Sequence, residues 1–272
     1  MIQDLGDKRL LNQFRNCKAD DHDYVFCFEG TEFALNEKNG EYSVPMALDF
    51  QESRLQYLFS IDDDKYFLAM GEPIPEGFVR KTFREVRTLG SIELAFAAAT
   101  AYHLYQWYRD NQFCGRCGKP MVHSHVERMM HCDDCGNCVY PKIAPAVIVG
   151  VTDGDRILMT KYSGRDYTRY ALIAGFTEIG ETAEQTVERE VMEEVGLKVK
   201  NIRYYKSQPW GSESDLLLGF FCDLDGDDDI VLDEDELSEA EWFHRNEMKV
   251  EDDGISLTRA MMTAFKEGNY PR

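Results

Sequence analysis

The chain has 272 residues, 43% hydrophobic and 29% charged, ample material for a core in one large domain or two smaller ones. Its 50 acidic residues against 30 Lys and Arg leave a net charge of −20, which argues against blanket phosphate neutralisation of nucleic acid. Any phosphate-bearing substrate then needs bridging cations. There is no run of roughly 18 apolar residues to span a membrane. The start, MIQDLGDKRLLNQF, lacks the basic and apolar regions of a secretory signal, so a cytoplasmic location is expected.

Residues 1–90 alternate short apolar runs, such as Tyr24–Phe28 and Tyr66–Met70, with acidic, turn-rich stretches, and read as a small β-rich region. Ser91 predicts the cap of a helix from Ile92 to about Arg109, with Ile92, Ala95, Phe96, Ala99, Tyr102 and Gln106 along one stripe. Residues 1–110 are expected to form an N-terminal domain without a catalytic constellation. Arg84 and Arg87 within it read as solvated surface.

Residues 111–141 form a second part. Five of the eight cysteines fall here, and Cys114-Gly-Arg-Cys117 and Cys132-Asp-Asp-Cys135 make two C-x2-C knuckles. Two thiolates three positions apart on a tight turn face one metal, and two such turns complete a tetrahedron. Gly115, Gly118 and Gly136 would permit those turns. A closed, structural zinc site is expected, with an iron centre and disulfides as the alternatives. Cys138 is a fifth candidate that could compete for the metal, whereas His123, His125 and His131 read as ordinary polar positions.

Residues 142–272 read as an α/β domain. Ala144–Val151 is a buried strand, Asp153-Gly154 a hairpin turn into Arg156–Met159, and Tyr170–Ala174 another strand. A helix follows, then strands near Asn201–Ser207 and Leu216–Cys222, an acidic solvated loop over Asp223–Glu241, and a closing helix from Ser256 to Phe265. Leu257, Ala260, Met261, Ala264 and Phe265 share one face of that last helix.

The chemistry lies between Gly175 and Leu197. Thr182 with Gln185 fits a capping box at the start of the helix, and Gly196 suits a left-handed stop. At about 100° per residue, Glu194 lies near 40° and Glu193 near −60° from Glu190, so three carboxylates share an arc of roughly 100°. Such like charges repel unless a cation sits among them, and Arg189 neutralises only part of them from the edge. A divalent metal accounts for the cluster.

The spacing Gly175-x5-Glu181-x7-Arg189-Glu190-Val191-x-Glu193-Glu194-x-Gly196-Leu197 matches all nine fixed positions of the Nudix box. The chain therefore resembles the Nudix hydrolases, which cleave a nucleoside diphosphate linked to another moiety. Ser207-Gln208-Pro209-Trp210 after the box and the four-cysteine ribbon before it narrow the resemblance to the NADH pyrophosphatase branch. The implied architecture is a Nudix α/β/α sandwich with a mixed sheet, preceded by a zinc ribbon and a small β-rich N-terminal domain. The implied assembly is a homodimer.

The resemblance also implies roles. Glu190, Glu193, Glu194 and Glu236, with the carbonyl of Ala174, would hold magnesium or manganese. Glu193, Glu194 and Glu236 compete as the base, and Glu181 positions Arg189. Phe176 and Trp210 would stack on the nicotinamide side. The array Gln208, Pro209, Trp210, Gly211, Ser212, Glu213, Ser214 and Asp215 would contact substrate, as would Tyr140 and Glu127. After Trp210 the family's usual P-F-P-x-S is replaced by Gly211–Asp215, which removes an aromatic and puts Asp215 at the serine position. The implied substrates are NADH or NAD, with capped RNA as a further one. A Nudix hydrolase of ADP-ribose or another dinucleotide is the alternative, and a non-catalytic zinc-ribbon module that binds nucleotide or RNA is an alternative of another class.

Overall fold

A computed structural model describes residues 1–50, 55–164 and 169–271. They divide into two compact units, Ile2–Lys142 with Gly211–Ser214, and Met1 with Ile143–Trp210 and the chain from Asp215 onward. No helix among the described residues is long and apolar enough to cross a membrane.

The first unit begins with eight short strands, β1 (Leu10–Leu11), β2 (Tyr24–Phe26), β3 (Phe28–Glu29), β4 (Glu32–Lys38), β5 (Glu41–Ser43), β6 (Leu55–Ile61), β7 (Asp64–Ala69) and β8 (Val79–Thr82). They make two small sheets, one ordered β1-β6-β7-β2, the other β3-β4-β5 with β8 also paired to β4. Aromatic rings fill the space between them, with Phe26, Phe33, Phe59 and Phe67 fully buried.

A short helix α1 (Phe83–Leu89) follows that the sequence reading passes over. Its signal was present in Thr82-Phe-Arg-Glu85, a capping box whose side chains and backbone amides satisfy one another. Helix α2 (Ile92–Asp110) starts on the expected cap, since Leu94 N donates to Ser91 Oγ at 3.1 Å. The expected stripe is too narrow, however. Leu94, Ala97, Ala98, Ala101, Leu104, Trp107 and Tyr108 are buried as well, while Ile92 is 46% exposed. The alanines let neighbours approach from several sides, and a helix enclosed in this way is apolar nearly all round.

The ribbon is a three-stranded sheet of β9 (Val122–His123), β10 (Met130–His131) and β11 (Cys138–Val139). It is tied into the same unit. Arg128 donates to Asn12 Oδ1 at 2.9 Å and to the Leu58 carbonyl, and His123 stacks on Tyr108 with ring centroids 4.9 Å apart.

The second unit is built on β12 (Ala144–Asp153), β13 (Arg156–Tyr162), β14 (Ile173–Phe176), β15 (Val199–Trp210), β16 (Asp215–Leu224) and β17 (Leu237–His244), with helices α3 (Ala183–Val195) and α4 (Leu257–Glu267). The sheet order is β15-β16-β12-β13-β17, with β14 also paired to β12. It is mixed, since β12 and β16 run parallel and the other pairs antiparallel. Alternation along β12 builds the layers. Val147, Val149 and Val151 pack with Val187, Val191 and Val195 of α3, while Ile148 packs with Met261 and Phe265 of α4. The result is an α/β/α sandwich.

Three expectations shift. The strand expected at Tyr170–Ala174 starts only at Ile173 and runs to Phe176, because Ala171 bridges Thr160 before the chain turns to pair with β12. The acidic segment Asp223–Glu241 is not one loop. It starts in β16 and ends in β17, where Leu237, Ala240 and Trp242 pack on the core while Glu239 accepts from Lys161 and Tyr170 on the solvent side. The closing helix reaches Glu267 and buries Met262 in addition to the expected face.

Candidate active site

Helix α3 is framed as its sequence demands. Thr182 Oγ1 accepts from Gln185 N at 3.2 Å and Gln185 Oε1 accepts from Thr182 N at 2.9 Å, while Gly196 ends the helix with φ of 69°. Beyond that stop the chain folds back on the helix end. Val231 N donates to Val195 O and Asp233 N to Glu194 O, both at 2.9 Å, which anchors the loop that carries Glu236.

Arg189 organises the helix face. Its Nε donates to Glu181 Oε1 at 2.6 Å, and its Nη2 to Glu181 Oε2 at 3.0 Å and to the Phe176 carbonyl at 2.8 Å. Its Nη1 donates to Glu190 Oε1 at 2.7 Å and Glu193 Oε2 at 2.9 Å. Arg189 thus clasps loop, strand and helix at one point. Glu181 also accepts from Glu178 N and from Thr186 Oγ1, each at 3.0 Å. Hydrogen bonding to Arg189, with help from those two donors, holds the Glu181 carboxyl down at about 2, and the three carboxylates push the Arg189 guanidinium above its ordinary range. The role of Thr186 has no sequence signal, since it depends on a loop closing over the helix.

Glu190 and Glu194 are 8% and 2% exposed. Burial raises the Glu190 carboxyl, Arg189 lowers it, and the negative charges of Glu193 and Glu236 raise it again. Glu236, distant in sequence, therefore acts electrostatically on the helix face. Gly175 makes the room: a β-carbon there would overlap the carboxyl group of Glu190. Ala174 is its neighbour on β14, opposite Ile148. Phe176, 55% exposed, follows directly and offers a ring face. Three carboxylates, those of Glu181, Glu190 and Glu193, share one guanidinium, and their oxygens are hard donors of the kind magnesium and manganese take.

The array after β15 is divided. Gln208 is fully buried, its Nε2 donating to Ile255 O and its Oε1 accepting from Leu257 N, each at 2.7 Å, so its amide fastens β15 to the start of α4. Pro209 is exposed, Trp210 half-buried, and buried Asp215 pairs in register with both Trp210 and Ala144. Gly211, Ser212, Glu213 and Ser214 belong to the other unit. There a β-carbon on Gly211 would collide with the Ala99 carbonyl of α2, and Ser214 Oγ donates to Gln106 Oε1 at 3.5 Å. Tyr140 and Glu127 meet on the ribbon, the hydroxyl donating to Glu127 Oε1 at 3.3 Å.

The four ribbon thiols converge. Cys114 and Cys135 are 3.6 Å apart, Cys117 and Cys132 3.5 Å, and all four lie within 4.8 Å of one another. Zn–S bonds of about 2.3 Å in a tetrahedron give edges of about 3.8 Å, so the set fits zinc. Both knuckles repeat one pattern, with Gly118 N donating to Cys114 O and Gly136 N to Cys132 O, and both glycines take left-handed φ. Gly115 does not. Cys138 stands outside the four, its Sγ 3.7 Å from Gly136 O.

Residues 142–264 match the model of the NUDIX domain, and residues 109–140 match that of the NADH pyrophosphatase zinc ribbon domain. Over 151 residues the chain is 42% identical to the NAD-capped RNA hydrolase NudC of Citrobacter koseri, spanning 56% of this chain and 58% of that protein. Its namesake in Klebsiella pneumoniae is 44% identical over 146 residues, 54% of this chain and 56% of that one. The match thus spans less than two thirds of the length of these relatives. A crystal structure of a NUDIX hydrolase from Nitrosomonas europaea is similar at 22% identity and a TM-score of 0.49, covering 57% of this chain and 91% of that one.

Proposed function

We propose that the chain is a Nudix hydrolase that cleaves the pyrophosphate bond of NADH and NAD, a reading supported by the match of residues 142–264 to the NUDIX domain and of residues 109–140 to the NADH pyrophosphatase zinc ribbon domain. The products are nicotinamide mononucleotide, reduced or oxidised, and AMP; from NAD-capped RNA they include 5′-monophosphate RNA. The observation that carries this reading is the buried Glu190, seated under Gly175 and bonded to an Arg189 that Glu181 locks in place.

The pyrophosphate bridge repels an incoming hydroxide. Glu190, Glu193, Glu194 and Glu236, with the carbonyl of Ala174, would hold magnesium or manganese, which supplies charge neutralisation and a more acidic water. Arg189 keeps Glu190 and Glu193 at fixed spacing through one nitrogen. The proton of the attacking water goes to Glu193, Glu194 or Glu236. Phe176 and Trp210 offer flat faces to the nicotinamide. The division of labour is an N-terminal domain over 1–110, a ribbon over 111–141 and the hydrolase over 142–272. The family resemblance extends the reading to a cytoplasmic homodimer.

A second reading, hydrolysis of ADP-ribose or another dinucleotide, is favoured by one observation. The segment Gly211–Ser214, where the branch carries an aromatic, is engaged on α2. The purified protein, with magnesium or manganese, should be given equal amounts of NADH, NAD, ADP-ribose, FAD and diadenosine tetraphosphate, with products read by mass. Expected is NADH or NAD ahead in kcat/KM, yielding the mononucleotide and AMP. ADP-ribose ahead would select the second reading, and no turnover with either metal would leave a nucleotide-binding module.

A further inference from the structure

The unit of residues 2–142 holds a cleft of about 140 Å³ lined by Phe28, Met70, Gly71, Tyr105, Arg109 and Gln112. Its residues are layered. The Phe28 and Tyr105 rings are stacked 4.8 Å apart at 20°, and the Arg109 guanidinium sits 5.5 Å over the Tyr105 ring. An ion pair to Asp110 at 2.7 Å steadies that guanidinium. Gly71 takes a left-handed φ of 68°, and a β-carbon there would meet nothing, so the cleft is open beside it.

The cleft's place on α2 matters. At about 100° per residue, Ala99, His103 and Gln106 fall within roughly 60° of one another, and they underlie Gly211 and Ser214. Tyr102, Tyr105 and Arg109 form the adjoining stripe. Arg109 lies three residues, about 4.5 Å of helix rise, beyond Gln106. A chain leaving the 211–214 segment along the helix therefore meets the layered stack within about one nucleotide.

We propose that this cleft binds the base of one nucleotide of an RNA chain, stacked on the outer face of the Arg109 guanidinium, which is backed by Tyr105 and the buried Phe28, with the Gln112 amide at its edge. Stacking on rings and guanidinium planes is tolerant of sequence and needs no extended basic surface, which suits a chain of net charge −20. The cleft would give the N-terminal unit a task on capped RNA that free dinucleotide does not use. That meaning rests on the capped-RNA reading above, whereas the binding itself does not.

The test measures anisotropy of a fluorescent 5′-monophosphate RNA of about ten nucleotides on the full chain, for the parent, Arg109→Ala and Tyr105→Leu. Loss of one stacked base weakens binding by about five- to 150-fold. We expect at least a fivefold loss in both variants. A log–log salt slope near −0.7 to −1.4 is also expected, as one or two phosphates give. The ratio of kcat/KM for NAD-capped RNA to that for NAD should fall in parallel. Because Tyr105 is half-buried, the exposed Arg109 decides the matter if Tyr105→Leu lowers Tm. RNA binding unchanged in Arg109→Ala would overturn the proposal. If neither NAD nor capped RNA is turned over yet the binding loss stands, the functional reading fails and the RNA site survives.

Discussion

Gly175 and Glu190 show how one missing side chain makes a site. The carboxylate occupies the volume that a β-carbon at Gly175 would claim. Gly175→Ala must push Glu190 aside, and a displacement of about 1 Å at a reacting centre costs on the order of a hundredfold in rate. We expect kcat/KM to drop by about that factor with the far-UV circular dichroism unchanged. Activity within threefold of the parent would mean that Glu190 is not needed where it sits. Glu181 makes a separate prediction about acid. Its carboxyl is held down to about 2 chiefly by Arg189, so the stability it contributes is complete above the ordinary value of 4.5 and is lost as pH falls toward 2. Burial moves the Glu190 carboxyl the other way, so acid relieves part of its own cost. Urea unfolding of the parent and Glu181→Gln should therefore differ most near neutral pH and converge as pH approaches 2. A gap that widens in acid would contradict the Arg189–Glu181 clasp.

Elements carry these residues because of local rules that the sequence displays. The capping box at Thr182 and the left-handed Gly196 bound α3 where their spacing places them, and the same logic applies to Ser91 at α2. The two knuckles are legible for the same reason: four thiols at two tight turns need only a few residues each. What was not legible is how elements rest on one another. Arg128 joins the ribbon to Asn12 and to Leu58 of β6, so the metal should hold more than the ribbon. Stripping the expected single zinc with a chelator is predicted to remove hydrogen-exchange protection from residues 114–139 and also from 55–61. Protection kept over both stretches after the zinc has gone would show that the knuckles do not depend on metal.

At the scale of the whole molecule, a chain of 272 residues becomes two units, and the segment Gly211–Ser214 crosses from one to the other and back. The sequence by itself determined an α/β domain behind a β-rich region, the box on its helix and the four-thiol ribbon. Each is written in residues a few positions apart, and the periodicity of a helix or turn converts such spacing directly into geometry. Only the tertiary structure decided that β17 lies within an acidic stretch, that α2 is buried nearly all round, that Gln208 fastens β15 to α4, and that Gly211 faces the Ala99 carbonyl. In each of these the deciding neighbour comes from tens of residues to more than a hundred away. Which atoms then fill the space beside a side chain depends on chain closure, which no local spacing records.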